Sequence, residues 1–353
     1  MCGTAYYAPC MPRRPEPDPT TWWERYGHRL EGPPVTTRPA GRPEPPPPAP
    51  VLGEDEVLRP RAPRPRSGWR RLLHDASGGR VNPGPGDAEE QRAMLLERVR
   101  TPLPGTHRVA VASVKGGVGK TTVAAGLGLT LAEHRGDRTV VLDADPDAGT
   151  LADRLTGDSR VTVRELLDDL GQVTTWADVS RYTSLAGRLA VLASEQDPVP
   201  GDAFRRDEYE RVCALLGRFF TVVVTDSGTG LVHPTMAGTL ATADSVVVVG
   251  TPTVDGAGRA GATLDRLVAD GYGALAREAV VVLSCDRRSA EVDAGRIVGH
   301  FRSRARAVVE IPYDPHLATG GPIDPARLRP ATCAAFLELG ALVADAFDVG
   351  RAR

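Results

Sequence analysis

The sequence predicts an α/β fold: a doubly wound, mainly parallel sheet behind a disordered, proline-rich N-terminal segment. Three observations carry this. From residue 107 onward, unbroken aliphatic runs alternate with helix-patterned stretches; strands covered on both faces read this way, and alternating β and α units build a parallel sheet. A glycine-rich loop joins the first aliphatic run to the first helical stretch. Residues 1–66 hold 17 of the 31 prolines and few aliphatic residues, too little apolar surface to offset chain entropy. The expected organisation is a Pro/Arg-rich tail over 1–66, a linker with a short helix over 67–104, and an α/β domain over 105–349.

In the lead-in, the apolar spacing of Ala93, Leu95, Leu96 and Val99 predicts a helix over 87–100. Pro102 and Pro104 end it. The strands follow at 107–113, 138–142, 189–193, 219–225, 244–250, 279–284 and 307–311. Helices are predicted near 120–134, 162–170, 206–217, 256–270, 289–302 and 332–347. No internal repeat is visible.

The tail has two features of its own. Trp22 and Trp23 sit in Thr-Trp-Trp-Glu-Arg-Tyr, which suits a short partner-binding helix or a local anchor onto the domain. Arg59, Arg61, Arg64, Arg66, Arg70 and Arg71 form a basic run, readable as a contact for nucleic acid, acidic lipid or an acidic partner, or as a solvated linker. Proline-rich segments also dock in aromatic-lined grooves, so an unknown protein partner is expected there unless the tail is simply solvated.

Bulk composition excludes several classes. The formal net charge is −2 and the pI about 6.4, so overall electrostatics call for neither a nucleic-acid nor a membrane partner. The five cysteines, Cys2, Cys10, Cys213, Cys285 and Cys333, form no C-x-x-C pair; an odd count argues for free thiols in a reducing compartment. No stretch approaches the length of a membrane span. The expected location is the cytoplasm, peripheral at a membrane only through a partner.

The chemistry concentrates in Ser113-Val114-Lys115-Gly116-Gly117-Val118-Gly119-Lys120-Thr121-Thr122. Glycines let a backbone curl and aim successive N–H groups at a phosphate, and the following helix N-terminus favours the same anion. Strand, loop and helix together are the context of a P-loop NTPase domain. Lys120 is placed to reach the β- and γ-phosphates of a nucleotide, and the Thr121 hydroxyl to ligate Mg²⁺. Of 43 basic residues only Lys115 and Lys120 are lysines. A compact ammonium fits among phosphate oxygens where a planar guanidinium does not. A plain glycine-rich surface turn would not gather both lysines. Downstream, the run 219–225 ends at Asp226, the Walker B arrangement, which assigns Asp226 to Mg²⁺; a simple strand-to-turn aspartate is the other reading.

The loop departs from G-x-x-x-x-G-K-[ST], since position 114 is valine, and carries Lys115 instead. K-G-G-V-G-K-T-T resembles the deviant Walker A loop of the ParA/MinD family of dimerising ATPases. The resemblance covers about residues 105–349. It implies that Lys115 reaches the partner's ATP in a nucleotide-sandwich homodimer. In Asp143-Ala144-Asp145, it implies that Asp145 orients or activates the attacking water and Asp143 supports the magnesium shell; two aspartates capping a loop are the alternative. Ser227-Gly228-Thr229-Gly230 resembles the family's second switch loop, and Thr251-Pro252-Thr253 its T-x-P element before a dimer-facing helix. Ile311-Pro312-Tyr313 matches the segment lining the base pocket, so Pro312 is a candidate base contact, while Ser284 or Cys285 stands where the family has an adenine-contacting Asn. The absence of N-K-x-D favours ATP over GTP. The W-R-R, G-G-R-V-N and I-P-Y-D-P-H-L segments resemble the branch associated with type VII secretion.

The implied function is a slow, Mg²⁺-dependent ATPase that dimerises with ATP and positions or regulates a partner in secretion, septum placement or chromosome or plasmid partition. Two alternatives stay open. A DNA-binding partition ATPase would use Arg287, Arg288, Arg302, Arg304 and Arg306 near His300 against nonspecific DNA, although solvated helix charges explain them as well. A capsule-type tyrosine kinase shares the fold but ends in tyrosines, and residues 345–353 contain none. The stretch 334–348 is apolar without a basic face, so it is expected to pack on the sheet rather than enter a membrane.

Overall fold

The aliphatic runs pair into a single sheet. Its strands are β1 (His107–Ala112), β2 (Thr139–Ala144), β3 (Ser184–Ala186), β4 (Leu189–Leu192), β5 (Val222–Ser227), β6 (Ser245–Gly250), β7 (Val280–Ser284) and β8 (Ala307–Ile311). The structure is a computed structural model that describes residues 63–66, 68–145, 149–157, 161–194, 204–228, 234–285 and 291–347, all within the unit Ala62–Arg353. The proline-rich tail to residue 62, with Trp22 and Trp23, lies outside the described residues. So do Thr229, Gly230, Arg287, Arg288 and the final stretch 348–353.

The helices are α1 (Gly68–Ala76), α2 (Asp87–Val99), α3 (Lys120–His134), α4 (Leu151–Leu155), α5 (Val163–Asp168), α6 (Trp176–Ser180), α7 (Arg206–Leu216), α8 (Pro234–Thr242), α9 (Val254–Ala269), α10 (Gly273–Arg277), α11 (Ala294–Arg302), α12 (Pro315–Ala318) and α13 (Pro330–Ala344).

The strand order is β3-β4-β2-β5-β1-β6-β7-β8. Among the described residues, only the β3–β4 pair is antiparallel; the others are parallel. The chain winds outward from β1 on one side, returns to insert β5 between β2 and β1, then builds β6 to β8 on the other. The direction of winding therefore reverses at β1, the place where open α/β sheets bind ligands beyond their strand carboxyl ends.

Alternation within each strand shows why both faces are apolar. Val109, Val111, Val141, Val224, Val247 and Val282 share a core with α3 and α13. The intervening Val140, Leu142, Leu192 and Val223 pack with α5 and α7, and Ala110, Val246, Val248 and Val281 with α8, α9 and α11. In α3, Ala124, Ala125, Gly126 and Gly128 are buried, which lets the helix lie close to its neighbours. A Cβ on Gly126 would overlap the Phe336 ring of α13. Thr253 caps α9 by accepting from Gly256 N at 3.1 Å, Asp293 caps α11 by accepting from Arg296 N at 3.1 Å, and Pro330 opens α13.

Several details differ from the sequence reading. β2 runs on to Ala144 and β5 to Ser227, past the predicted ends at 142 and 225, so Asp143 and Asp226 lie within the ladder; polar side chains there hid the strand ends. β3 was missed because it is three residues long and ends in a turn at Gly187, φ 61°. The helix α8 was missed because Pro, Gly and three Thr residues mask its apolar face. In the lead-in, Gly68–Ala76 is helical. Val99 enters the core with α3 and α13, and Arg98 holds Asp345 through bonds of 2.9 and 2.6 Å. Phe336, Leu337, Leu339 and Val343 of α13 are buried, as expected for a helix packed on the sheet. Among the described residues no helix is long and apolar enough to cross a membrane.

Candidate functional site

Because the parallel strands share a direction, their carboxyl ends form one edge. Beyond it lie the 113–120 loop after β1, Asp145 after β2, Gly228 after β5, the Thr251 segment after β6, Cys285 after β7 and Pro312 after β8.

The loop takes the form its glycines permit. Gly117 and Gly119 have φ of 74° and 94°, left-handed values that suit glycine. Gly119 is the N-cap of α3, and no side chain caps that helix, so its first-turn N–H groups are not taken up by a capping residue. Gly116 and Gly117 are exposed, whereas Val118 is buried and anchors the loop. Val114 N donates to Thr263 Oγ1 of α9 at 3.2 Å, and Lys115 N to Ser113 Oγ at 3.2 Å. Ser284 lies against the loop: a Cβ on Gly119 would stand 3.1 Å from its Oγ. Its neighbour Cys285 is buried, with its N–H on Ile311 O at 2.9 Å. Pro312 directly follows Ile311, the register partner of Ser284, and is half-buried.

Beneath the loop lies a buried charge cluster. The period of two places Asp143 on the face of Val141 and Asp226 on the face of Val224, both under α3. The two aspartates are direct register partners, and each is 2% exposed or less. Asp143 accepts from Asp145 N and Leu151 N, each at 3.1 Å, and Ser194 also hydrogen-bonds it. A Cβ on Gly149 would overlap its carboxylate, and Gly149 N donates to Ser194 Oγ at 3.0 Å. Asp226 has less: its Oδ1 is buried without a hydrogen bond among the described residues. Burial raises both carboxyls; for Asp226 the adjoining Asp143 charge adds to the rise, while Thr121 and Lys120 oppose it. Lys120, 7% exposed, is lowered by burial and raised by Asp226 and Asp145. One ammonium thus faces the Asp226 and Asp145 carboxylates.

Lys115 differs. It is exposed, and its Nζ pairs with Asp255 Oδ2 at 2.5 Å; Arg259 reaches the other oxygen at 3.3 Å. Asp255 is held low by both cations. From sequence, Asp255 stood out only as the end of the Thr251-Pro252-Thr253-Val254-Asp255 segment, with no role of its own. The sequence reading missed Ser194, Thr263 and Arg154, whose roles depend on contacts distant in sequence. Of the proposed DNA-contacting arginines, Arg304 is paired with Asp265, and Arg306 with Glu278 and Asp345 at 3.5 and 3.6 Å. Those pairs offset the charge of two of the five arginines.

A family model described as the CobQ/CobB/MinD/ParA nucleotide binding domain matches residues 109–318. The chain belongs to this nucleotide-binding family. The ESX-1 secretion-associated protein EspI of Mycobacterium tuberculosis is 35% identical over 285 residues, covering 80% of this chain and 42% of EspI; the chain therefore spans less than half the length of that relative. The ParA family ATPase from Chlorobium tepidum has the same fold, with a TM-score of 0.58 at 15% identity over 67% of this chain and 98% of that one. The septum site-determining protein MinD of Pyrococcus horikoshii, solved with Mg-ADP, gives 0.51 at 20% identity over 67% and 94%.

Proposed function

We propose that the chain is a Mg²⁺-dependent ATP-binding and ATP-hydrolysing switch that dimerises with ATP and regulates a protein partner. The observation that carries this is the buried cluster under the loop, above all the Asp226 Oδ1, unpartnered among the described residues. A carboxylate oxygen kept dry and unbonded is costly unless a cation meets it.

The residues fit magnesium. Among the described residues no group of three His, Cys, Asp or Glu side chains could hold a metal alone. Mg²⁺ needs no such cage, because it keeps waters and takes phosphate oxygens with one or two protein ligands. Thr121 and Asp226 would hold it, with Asp143 in support. When bound, it supplies positive charge to the phosphate oxygens. Lys120 and the backbone N–H groups of 116–122 cradle the phosphates. Asp145, fixed through its own N–H on Asp143, orients the attacking water. Pro312 contributes to the base pocket. Lys115 leaves Asp255 and reaches the nucleotide of a second copy.

MinD solved with Mg-ADP supports the choice of ligands, and the similarity to secretion-associated EspI supports a partner in secretion. The 1–66 tail is the proposed partner segment, the 105–349 domain the switch, and the setting cytoplasmic or peripheral at a membrane through that partner. Calorimetric titration tests the reading: ATP should bind with Mg²⁺, weaken on chelation, and fail with Lys120→Ala. Equal binding by wild type and Lys120→Ala would reject it.

A further inference from the structure

We propose that Arg154 is a positioning residue of the nucleotide site: its guanidinium fixes the Thr122 hydroxyl so that the hydroxyl proton is offered to a phosphate oxygen. This rests on the nucleotide-binding reading above.

Arg154 lies on α4, just after the segment that carries Asp143 and Asp145. It is 6% exposed. Buried arginines are normally paired with carboxylates. Among the described residues the Arg154 side chain has only neutral acceptors, Thr122 Oγ1 at 3.0 Å and Leu317 O at 3.3 Å. Burial lowers its pKa, and no acidic group among the described residues opposes the shift. A buried cation with no carboxylate partner among the described residues thus stands one side chain away from the phosphate-binding loop.

Thr122 supplies the second half. A helical threonine commonly donates its hydroxyl to the carbonyl four residues back, and Thr130 in the same helix does so to Gly126 O at 2.8 Å. Thr122 makes no such donation among the described residues. Its oxygen accepts from Arg154 instead, which leaves its proton for another acceptor and strengthens it as a donor. Thr122 sits in the first turn of α3, where an anion is favoured.

Arg154 also joins three segments. Its guanidinium spans α3 and the Leu317 carbonyl, and its own carbonyl accepts from Ile323 N at 2.7 Å. One turn earlier, Leu151 N donates to Asp143. A phosphate drawn to Thr122 would therefore be felt by the Asp145 segment and by the stretch after Pro312.

The test is ADP affinity by calorimetry, which needs no turnover, together with thermal unfolding without nucleotide. Arg154→Met and Thr122→Val should each weaken ADP by about 10- to 100-fold, the loss of a hydrogen bond involving charge. The double variant should lose less than the product of the two. Thr122→Ser should stay close to wild type, and nucleotide-free Arg154→Met should melt no lower than wild type. ADP affinity of Arg154→Met within about twofold of wild type, or single losses that multiply fully in the double variant, would overturn the proposal. Should Arg154→Met not fold, Arg154→Leu, which likewise removes the Nη2 that reaches both acceptors, faces the same criteria. If wild type itself fails to bind ADP, the nucleotide-site reading falls and this proposal with it; if binding is lost in Lys120→Ala but kept in the Arg154 variants, only this proposal falls.

Discussion

Replacing Asp226 by asparagine is expected to stabilise the nucleotide-free protein while removing its response to magnesium. Asp226 is 2% exposed, has an unbonded oxygen and is register partner to a second buried aspartate. Its carboxyl is pushed up from 3.8 to about 8, a ceiling of about 5–6 kcal/mol of strain at slightly alkaline pH. Lys120 and Asp143 share that charge, so about 2–3 kcal/mol is the expected gain. For a domain of this size that is roughly 5–10 °C in Tm. The sign follows from linkage: a raised carboxyl binds more protons folded than unfolded, so its penalty grows as pH rises from the ordinary carboxylate range toward about 8. Thermal unfolding at pH 8, with chelator, with ATP, and with ATP plus Mg²⁺, measures both halves. The variant should melt higher with chelator and gain nothing from Mg²⁺ beyond ATP alone. A variant that melts lower with chelator, or keeps the full magnesium increment, would refute the reasoning.

Other perturbations address separate parts of the molecule. His107 is buried against Ser245 and Phe347, and burial lowers it from 6.5 to about 4; the unfolded chain takes up its proton first, so about 3 kcal/mol of stability should disappear as pH falls from 6.5 to 4, and urea unfolding of His107→Gln should lack that slope. Gly126→Ala forces a methyl into the Phe336 ring and should cost about 1–3 kcal/mol; a second change, Phe336→Leu, should recover part of it in denaturant titrations. Asp255→Asn releases Lys115 from an exposed ion pair, so the ATP-dependent dimer should tighten, by no more than about fivefold, in sedimentation equilibrium.

Much of this was readable from local pattern. Continuous valine runs betrayed strands covered on both faces, and Lys115 and Lys120 stood out because the chain otherwise uses arginine. Asp143 and Asp226 were legible as strand-end residues, but not as one buried pair: that depends on β5 inserting beside β2, a choice of topology rather than of spacing. Asp255 and Arg154 were hidden for the same reason. Each is an ordinary helix residue until α9 and α4 are placed against the loop. The short β3 and the threonine-rich α8 escaped because packing, not propensity, holds them.

The central claim is a dimer closed by ATP through Lys115. Light scattering after size exclusion, with Asp145→Ala protein to block hydrolysis, tests it most directly. The account predicts the mass of a single 37.5 kDa chain without nucleotide, twice that with Mg²⁺ and ATP, and a return to the single-chain mass when Lys115→Ala is added. A protein that binds ATP and stays monomeric, or that dimerises equally well without Lys115, would contradict it.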